Sequence, residues 1–600
     1  MKNTAFSKYA YAIIIFAGIL TLLILVLFNN QPFSIISEEN NNYLRNELSA
    51  EERAEDLIRK MSLSEKLWQM ILVERRSIKN PMDIAAYSIW WILNWSWDYP
   101  EPNTPLSWIK MVEAFQSHSQ KSRLKIPLLY WVDTIHGHTN LNWATVFPHA
   151  IWLGATRDVE LVKRIGKATA EEMMSTDIFW WFSPWIDIAL DNRWWRFYES
   201  FGSDESLVWE MWAAYISWFQ SISEDGSRAM ATAKHYVWNG SMSWWGSWLD
   251  NYPMDKWSSE ISEEELRKIH IEPFKKAIRA DVWAIMIWLN EWRWIRVTWN
   301  KYLITDVLKE ELWFKGLVVT DWYWAYEIDK DNYKSIVKAI NAWVDMIMLP
   351  YDYKAYIAQA KYAIWNWEIT EDRINDAVKR ILIKKFELGL FDKKPSYKNN
   401  LQTIWSEEHR NIAREAVRKS IVLMKNNDAV LPMPKNVSRI NISWSIADNL
   451  WKQSWGWTIN WQGISWNHFP WTTILKWIRD AVWMNTEVQF SENWEFRNPA
   501  VADIGIAIVW EETYAEWVWD NPHPALSESD ISVIRKTKVS SKKLIVIIVS
   551  GRPLDINEFQ DDWGTIVAVW LPWSEGQWVA DVLFWDYPFT GQLPVKWDLK

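Results

Sequence analysis

Short apolar runs alternate with amphipathic stretches between residues 47 and 395. The runs have the length of buried strands, and the stretches between them show the 3.6-residue period of helices. The clearest apolar runs cover residues 126–132, 229–233, 284–288, 317–320 and 346–349. The clearest helical stretches cover residues 157–175, 262–279 and 371–388. This alternation predicts a parallel sheet with helices on its outside.

Several of these runs end on, or directly before, a polar side chain. The polar residues at these places are Asp133, Lys234, His235, Asn290 and Asp321. In a (β/α)8 barrel, catalytic residues lie at the carboxyl ends of the strands. We therefore predict an α/β fold in which residues 47–395 form a (β/α)8 TIM-like barrel. The pattern does not exclude an open doubly wound sheet, which stays the alternative.

A second set of strands and helices follows a polar stretch, residues 392–406, of which 396–406 are assigned as a linker. Helices are predicted over residues 407–426, 472–482 and 576–585. Strands are predicted over residues 440–443, 488–491, 504–509, 544–550 and 566–570. Residues 407–600 are therefore expected to form a smaller α/β sandwich domain.

An uncharged apolar stretch, residues 11–28, follows Lys2 and Lys8 at the start of the sequence. Its length suits a bilayer core of about 30 Å. No small-residue cleavage site follows it, which favours an uncleaved signal anchor over a removed signal peptide. With the lysines inside, the rest of the chain is expected outside the cytoplasm. Residues 1–46 are thus predicted to be a single-pass anchor and polar tether in the cell membrane, with a buried core helix as the alternative.

The composition excludes several partners and chemistries. The formal net charge is −10 and no long basic run is present, so nucleic acid is not an expected partner. The chain has no cysteine, which excludes disulfides, thiolate catalysis and cysteine-bound metals. The sequence also has no phosphate-binding loop, dinucleotide fingerprint or metal-ligand motif. We therefore expect neither a cofactor nor a metal, and the oligomeric state stays open.

Six sequence blocks resemble glycoside hydrolase family 3 and occur in that family's order and spacing. They read IPLLYWVDTIHGHTN, DNRWWRFYESFGSD, KHYVWNG, GLVVTDWYWA, SGRPLDI and LPWSEGQWVADVLFWDYPFTGQLPVKW. The resemblance extends from about residue 47 to the C-terminus and is closest to the two-domain exo-β-glucanases and β-glucosidases. It implies an exo-acting enzyme that removes terminal non-reducing β-D-glucosyl residues from β-glucans or oligosaccharides with retention of configuration.

The resemblance also assigns the two carboxyl groups that glycoside hydrolysis generally needs. Asp321 resembles the family's nucleophile, and its place at the end of an apolar run would hold the carboxylate rigidly. Glu516 resembles the proton donor, which the relatives carry on a loop of the second domain. Glu511 and Glu512 lie closer to the end of the predicted strand and stay alternatives for this role.

Four polar residues resemble the family's ligands for the sugar at the non-reducing end. Asp133 is expected to accept hydrogen bonds from sugar hydroxyls, whereas Arg196, Lys234 and His235 are expected to donate them. Each residue alone has an ordinary structural role as its alternative: a cap, an ion-pair partner or a core histidine. Their occurrence together in motifs at strand ends favours a sugar-binding site.

Two tryptophans also resemble residues of that sugar site. Trp322 follows the nucleophile and Trp461 lies in the second domain, and two facing rings would clamp the apolar faces of a glucosyl unit. Packing in the core is the alternative for both. Residues 240–251 match the relatives poorly, and Asp250 is a weaker candidate ligand there.

The sequence contains 53 tryptophans but only 17 glycines. Glycine is thus about 3% of the chain, against an average of about 7%. The family's blocks fit better when some tryptophans are read as glycine, namely Trp131, Trp195, Trp238, Trp324, Trp573 and Trp578. We therefore hypothesise that many tryptophans stand for UGA codons, which some uncultured bacterial lineages read as glycine. The alternative is a genuinely tryptophan-rich carbohydrate-binding surface.

Three other functions stay open beside a β-glucosidase. A β-N-acetylhexosaminidase of the same family is disfavoured by the presence of residues 407–600 and by the absence of the KHFPGHG form. A β-xylosidase is not distinguished by sequence. A catalytically inactive, membrane-tethered glucan-binding protein is disfavoured because both Asp321 and Glu516 are present. The relatives continue beyond the segment that matches LPVKW, so we also expect a truncated C-terminal end or a second domain that lacks an edge.

Overall fold

The computed structural model describes residues 41–94, 98–223, 226–237, 242, 244, 253–254, 258–288, 290–392, 400–459, 471–516, 519–571 and 578–597. These residues form two α/β domains, which confirms the predicted two-domain fold. The predicted membrane anchor, residues 11–28, lies outside the described residues. Among the helices that are described, none is long and apolar enough to cross a membrane.

The first domain alternates strands with helices, as the hydrophobic pattern predicted. Its described strands are β1 (Ile71–Glu74), β2 (Trp91–Asn94), β3 (Leu129–Val132), β4 (Trp180–Trp181), β5 (Thr232–Tyr236), β6 (Ser258–Ser259), β7 (Ala284–Ile287), β8 (Glu291–Trp292), β9 (Ile295–Arg296), β10 (Leu317–Thr320) and β11 (Ile347–Met348). Its longer helices are Ala50–Lys60, Pro105–Ser119, Val159–Met174, Glu205–Phe219, Glu272–Arg279, Tyr302–Glu311, Asn332–Asn341, Tyr353–Trp365 and Glu371–Glu387. Shorter ones are Leu63–Gln69, Met82–Tyr87, Ala150–Thr156, Glu263–Glu265 and Leu266–Ile271.

Two parallel sheets hold eight of these strands. Their orders are β11-β1-β2-β3-β4 and β10-β7-β5. Single parallel bridges connect the sheets: Trp180 with Met230 on the β4 side, and Val319 with Met346 between β10 and β11. Because all pairings are parallel, the carboxyl ends of the eight strands lie at one edge. That edge carries the polar residues that the sequence singled out.

One predicted strand is displaced in the structure. The apolar run 229–233 predicted the strand there, but β5 covers Thr232–Tyr236 and pairs with β7 from Thr232↔Ala284 onward. The prediction was wrong because Lys234 and His235 were taken to follow the strand. Both are buried within its last residues instead.

The second domain contains one mixed sheet with helices packed on it. Its strands are β12 (Val422–Asn426), β13 (Arg439–Ser443), β14 (Glu487–Ser491), β15 (Ala502–Trp510), β16 (Ser541–Val549) and β17 (Thr565–Ala568). The sheet order is β12-β17-β16-β15-β13-β14, and only the pair β12–β17 is antiparallel among the described pairs. The described helices are Glu407–Ser420, Leu450–Ser454, Ile474–Ala481, Glu528–Val539 and Trp578–Leu583.

Two features of the second domain differ from the sequence prediction. The helix predicted over 407–426 ends at Ser420, and residues 422–426 form the edge strand β12. The apolar Val422 and Leu423 pair with β17, so tertiary pairing outweighs the helical continuation. The helix Glu528–Val539 was not predicted, although Ser527 and Asp530 form a capping box at its start.

Tryptophan takes left-handed backbone conformations far more often than its abundance predicts. Among the described residues, 22 that are not glycine have positive φ, and twelve of these are tryptophan. Trp313, Trp343 and Trp367 each follow the C-cap of a helix, which is a position where glycine is usual. Gly389 takes that position after the helix Glu371–Glu387, with φ of 71°. These backbone positions are therefore ones that glycine fits and tryptophan strains.

Several tryptophan rings also lie too close to neighbouring rings. Ring centroids are 3.5 Å apart for Trp131 and Phe182, and 3.6 Å apart for Trp181 and Phe219. Aromatic pairs normally have centroids about 4.5–7 Å apart. The space at positions 131 and 181 therefore suits a smaller residue, in agreement with the glycine hypothesis.

Mass spectrometry of one tryptic peptide tests this hypothesis. We call the protein translated under its source organism's own code the natively decoded protein. Peptide 316–330 should then carry glycine at position 324 and tryptophan at position 322, because the resemblance treats Trp322 as genuine and Trp324 as misread. A fragment-ion mass for tryptophan at position 324 would contradict the hypothesis.

Candidate active site

Asp321 directly follows β10, so its carboxylate lies at the edge of the sheets where the carboxyl ends of the parallel strands meet. The Oδ1 atom of Asp321 accepts a hydrogen bond from the main-chain N–H of Trp322 at 2.6 Å. Its Oδ2 atom lies 3.1 Å from Nε2 of His235, on β5. A carboxylate held from two sides on a short turn after a strand has little freedom to rotate.

His235 is a neutral neighbour of this carboxylate. Burial, reinforced by the positive charges of Arg196 and Lys234, holds its pKa well below the usual value. The contact between His235 and Asp321 is therefore a hydrogen bond from a neutral imidazole, which orients the carboxylate without neutralising it. The main-chain N–H of His235 donates to Oδ2 of Asp187 at 3.3 Å, which anchors this end of β5.

Asp133 and Lys234 form an ion pair across the same edge. Asp133 follows β3, and its Oδ1 atom lies 3.2 Å from Nζ of Lys234 on β5. The lysine is almost fully buried, whereas the aspartate retains about a fifth of its side-chain exposure. At the carboxyl ends of the strands, Asp133 can therefore accept hydrogen bonds from a ligand, and Lys234 can donate them.

Arg196 lies in the turn Trp195–Glu199 and is held by Glu199. Its Nε and Nη2 atoms donate to the two carboxylate oxygens of Glu199 at 3.0 and 2.9 Å. Both side chains are buried. Burial raises the pKa of Glu199, and the guanidinium opposes that rise. The bidentate contact fixes the plane of the guanidinium, so its remaining N–H groups point in set directions.

Glu516 approaches this group from the second domain, on the loop after β15. Burial raises its pKa to about 8; Arg196 opposes this, while the charges of Asp321, Asp133 and Glu199 raise it further. Hydrogen bonds from Tyr198 to the main-chain oxygen of Tyr514, at 3.4 Å, and from the N–H of Trp195 to Asp520, at 3.0 Å, hold this loop beside Arg196, so the Glu516 carboxyl lies close enough to the barrel-domain carboxylates to interact with their charges. A carboxylic acid that keeps its proton at neutral pH, beside an aspartate held for attack, is suited to general acid catalysis.

The two rival glutamates have other surroundings. Glu511 accepts a hydrogen bond from Nε of Arg552 at 2.6 Å and another from the main-chain N–H of Gly551 at 3.2 Å. Glu512 is exposed to solvent. Neither pattern resembles that of a proton donor facing a substrate, so the geometry favours Glu516.

Six of the eight residues predicted from sequence thus come together at one edge: Asp133, Arg196, Lys234, His235, Asp321 and Glu516. Trp322 adjoins Asp321, and its ring meets the ring of Tyr351 edge-on at 5.8 Å. Trp461 and Asp250 lie outside the described residues. Sequence reasoning missed Glu199, although its spacing of three from Arg196 inside one motif was a usable signal.

Tryptophan rings crowd the space beside Arg196. The guanidinium carbon lies 3.9 Å from the ring centroid of Trp185 and 4.8 Å from that of Trp195. The ring of Trp457, whose φ is 61°, lies 6.0 Å away. Glycine at positions 195 and 457 would remove two of these rings and open the site next to Arg196.

Two carboxyl groups in one polar site, one at a strand end of the first domain and one on a loop of the second, are the groups that glycoside hydrolysis generally needs. Residues 62–383 match the glycosyl hydrolase family 3 N terminal domain, and residues 421–600 match the C-terminal domain of that family. The chain therefore belongs to glycoside hydrolase family 3, as the sequence blocks predicted.

Individual relatives agree with this assignment. A lysosomal beta glucosidase of Dictyostelium discoideum is 26% identical over 622 residues, which cover 94% of this chain and 74% of the relative. A periplasmic beta-glucosidase of Salmonella typhimurium is 27% identical, and the match covers 79% of this chain and 65% of the relative. A crystal structure of a mutant exo-1,3/1,4-beta-glucanase from a Pseudoalteromonas species matches with a TM-score of 0.86 at 34% identity, covering 93% of this chain and 92% of that one.

Proposed function

We propose that this chain is a retaining, exo-acting β-glucosidase that removes terminal β-D-glucosyl residues from β-glucans or oligosaccharides. The observation that carries the proposal is that Asp321, at the end of β10, and Glu516, on the loop after β15, bring two carboxyl groups to one site, where burial raises the pKa of Glu516. The names of the relatives, beta-glucosidases and an exo-1,3/1,4-beta-glucanase, support glucose as the sugar. A mechanism built on two carboxyl groups requires no cofactor.

The reaction follows from the two carboxyl groups. Asp321 attacks the anomeric carbon and forms a glycosyl ester, while Glu516 gives its proton to the departing glycosidic oxygen. Glu516, now ionised, removes a proton from an incoming water, which attacks the same carbon and displaces Asp321. Two inversions restore the β configuration, and the released sugar carries the water oxygen.

Activity should depend on pH through Glu516. Its pKa is about 8, raised chiefly by burial, so the group is protonated below that value and ionised above it. Protonation is the form needed to assist departure of a glucosyl group. We therefore expect kcat/KM for cellobiose to fall as the pH rises through about 8. The dinitrophenyl glucoside, which needs no proton, should show a much weaker alkaline limb.

The remaining polar groups would hold the sugar ring. Asp133, Lys234 and Arg196 offer charged groups to sugar hydroxyls, and a misplaced hydroxyl would lose one of these charge-assisted hydrogen bonds. Trp322, with Trp461 as the predicted second wall, would cover the apolar faces of the ring. This arrangement would favour one epimer over the others.

The finer architecture of the first domain belongs to the same proposal. The eight parallel strands would form one (β/α)8 ring, with the nucleophile at its carboxyl edge. The bridges Trp180↔Met230 and Val319↔Met346 support closure on both sides.

A substrate panel on the natively decoded protein tests the function. We expect release of nitrophenol from aryl β-glucoside to exceed release from aryl β-xyloside, β-N-acetylglucosaminide and α-glucoside. Proton NMR of the first product should show β-glucose before mutarotation. Preference for the N-acetylglucosaminide or the xyloside, an initial α-anomer, or no hydrolysis at all would each contradict the proposal.

We further propose that residues 11–28 anchor the enzyme in the cell membrane with both domains outside. The support is the uncharged apolar stretch preceded by Lys2 and Lys8. Protease added to intact cells should release β-glucosidase activity into the medium. Activity that is protected until the cells are lysed would contradict this orientation.

A further inference from the structure

The loop that carries Glu516 contacts the barrel domain directly at its far end, and its near end is linked to the barrel domain through Arg552. It starts after β15 at Glu511 and returns to the barrel domain at Asp520 and Asn521. Glu516 lies in the middle with φ of 53°, a conformation that a non-glycine residue adopts at a cost. The carboxyl position therefore depends on how firmly the ends are held.

Arg552 holds the first end and reaches the second. Its Nε donates to Glu511 at 2.6 Å, and its Nη2 donates to the main-chain oxygen of Trp519 at 3.2 Å. Its Nη1 donates to the main-chain oxygens of Asn192 and Arg193 at 3.3 and 2.9 Å. The side chain is 2% exposed. One guanidinium thus joins both ends of the loop to the barrel segment that continues into Arg196.

Asp520 makes a second connection at the far end of the loop. Its Oδ1 accepts from the main-chain N–H of Trp195 at 3.0 Å, and its Oδ2 accepts from that of Met254 at 3.0 Å. The N–H of Asn521 donates to the carbonyl of Arg193 at 2.9 Å. All three contacts are made to main-chain atoms of the barrel domain. They therefore fix the position of this end of the loop independently of the barrel side chains.

We propose that Arg552, with Asp520 as its counterpart, is a positioning residue that sets the Glu516 carboxyl against the glycosidic oxygen. Arg552 would act through its contacts with the loop residues Glu511 and Trp519 and with the main chain of Arg193, rather than by contact with the substrate. The planar fork of five N–H donors is needed for this, because a lysine reaches fewer acceptors and lacks the fixed geometry. The inference rests on the proposed function, in which Glu516 is the proton donor.

The variant Arg552→Lys tests the proposal by its effect on leaving groups. Proton donation matters for a glucosyl leaving group and hardly for dinitrophenolate, whereas sugar binding matters for both. We expect kcat/KM for cellobiose and laminaribiose to fall about 10²-fold, the lower range for losing general acid catalysis, with less than a fivefold change for dinitrophenyl β-glucoside. Asp520→Ala, at the other end of the loop, should show the same selectivity.

Two controls separate positioning from other effects. Arg373→Lys changes another buried arginine, which pairs with Asp345 at 2.9 Å and donates to the carbonyls of Ile340 and Val344. It should lower thermal stability and leave the ratio between the two substrate types unchanged. Azide should not restore the activity of Arg552→Lys, because the Glu516 carboxylate is still present and leaves no room for the anion.

The outcomes are distinct. Equal losses on both substrate types in Arg552→Lys and Asp520→Ala, or no loss in either, would overturn the positioning role. If Arg552→Lys does not fold, as judged by circular dichroism, Asp520→Ala decides by the same criterion. An unmodified protein that hydrolyses no β-glucoside would instead refute the proposed function.

Discussion

Asp321→Asn is expected to lower kcat on every β-glucoside by roughly 10⁴-fold or more, which corresponds to about 5.5 kcal/mol of lost transition-state stabilisation. A carboxamide cannot form the glycosyl ester that a retaining enzyme requires. The fold should change little, because an asparagine Oδ1 can still accept the hydrogen bond from the N–H of Trp322. Both aryl and disaccharide substrates should be affected equally, since each needs the same nucleophile. Steady-state kinetics and circular dichroism on the natively decoded protein would check this.

Trapping of the intermediate identifies the nucleophile directly. A dinitrophenyl 2-fluoro-β-glucoside should leave a 2-fluoroglucosyl group on Asp321, and peptide mapping should find it within residues 316–330. Asp133→Asn serves as the matched control, because it removes a carboxylate of the same edge while the nucleophile is retained. That variant should label more slowly but at the same residue. A label on any other acid would refute the assignment of Asp321.

Much of the fold was predictable because the hydrophobic pattern of a short sequence segment indicates whether that segment forms a strand or a helix. The run 317–320 coincides with β10, and the helices predicted over 157–175 and 371–388 correspond to Val159–Met174 and Glu371–Glu387. The misassigned β12 and the displaced β5 have a common cause. In both, pairing with a strand distant in sequence decided the structure, and a local window contains no information about that partner.

The candidate site was predictable to a similar extent. The sequence motifs contained the polar groups of the site, and the structure brings six of them together, four at strand ends and two on a turn and a loop, while their roles stay predictions. The contacts that orient them were harder to predict. Glu199 lies three residues after Arg196 in one motif, which was a usable signal, whereas the contact of Arg552 with Glu511 joins separate strands of the second domain and is seen only in the tertiary arrangement.

The backbone conformation shows which of the many tryptophan positions are suited to glycine. Composition suggested that some tryptophans are glycines, and the family's blocks indicated six positions within those blocks but none outside them. Backbone conformation narrows the choice, because a positive φ after a helix C-cap favours glycine whatever the neighbouring side chains are. Positions 313, 343 and 367 are therefore stronger candidates for glycine than the exposed Trp365, which lies within a helix.

Glu516→Ala should harm substrates unequally. A glucosyl leaving group departs as an alkoxide unless it is protonated, whereas dinitrophenolate is a stable anion. We expect cellobiose and laminaribiose hydrolysis to fall by roughly 10²–10⁴-fold, with little change in the first step on dinitrophenyl β-glucoside. With dinitrophenyl β-glucoside, hydrolysis of the glycosyl-enzyme should then limit turnover. Azide should restore this second step and yield β-glucosyl azide, because a small anion can occupy the space of the missing carboxylate and attack without a general base. Glu512→Ala is the control, since that exposed side chain lies on the same loop. Equal losses on both substrates without azide rescue in Glu516→Ala, together with the selective pattern in Glu511→Ala or Glu512→Ala, would show that another acid of this loop is the proton donor.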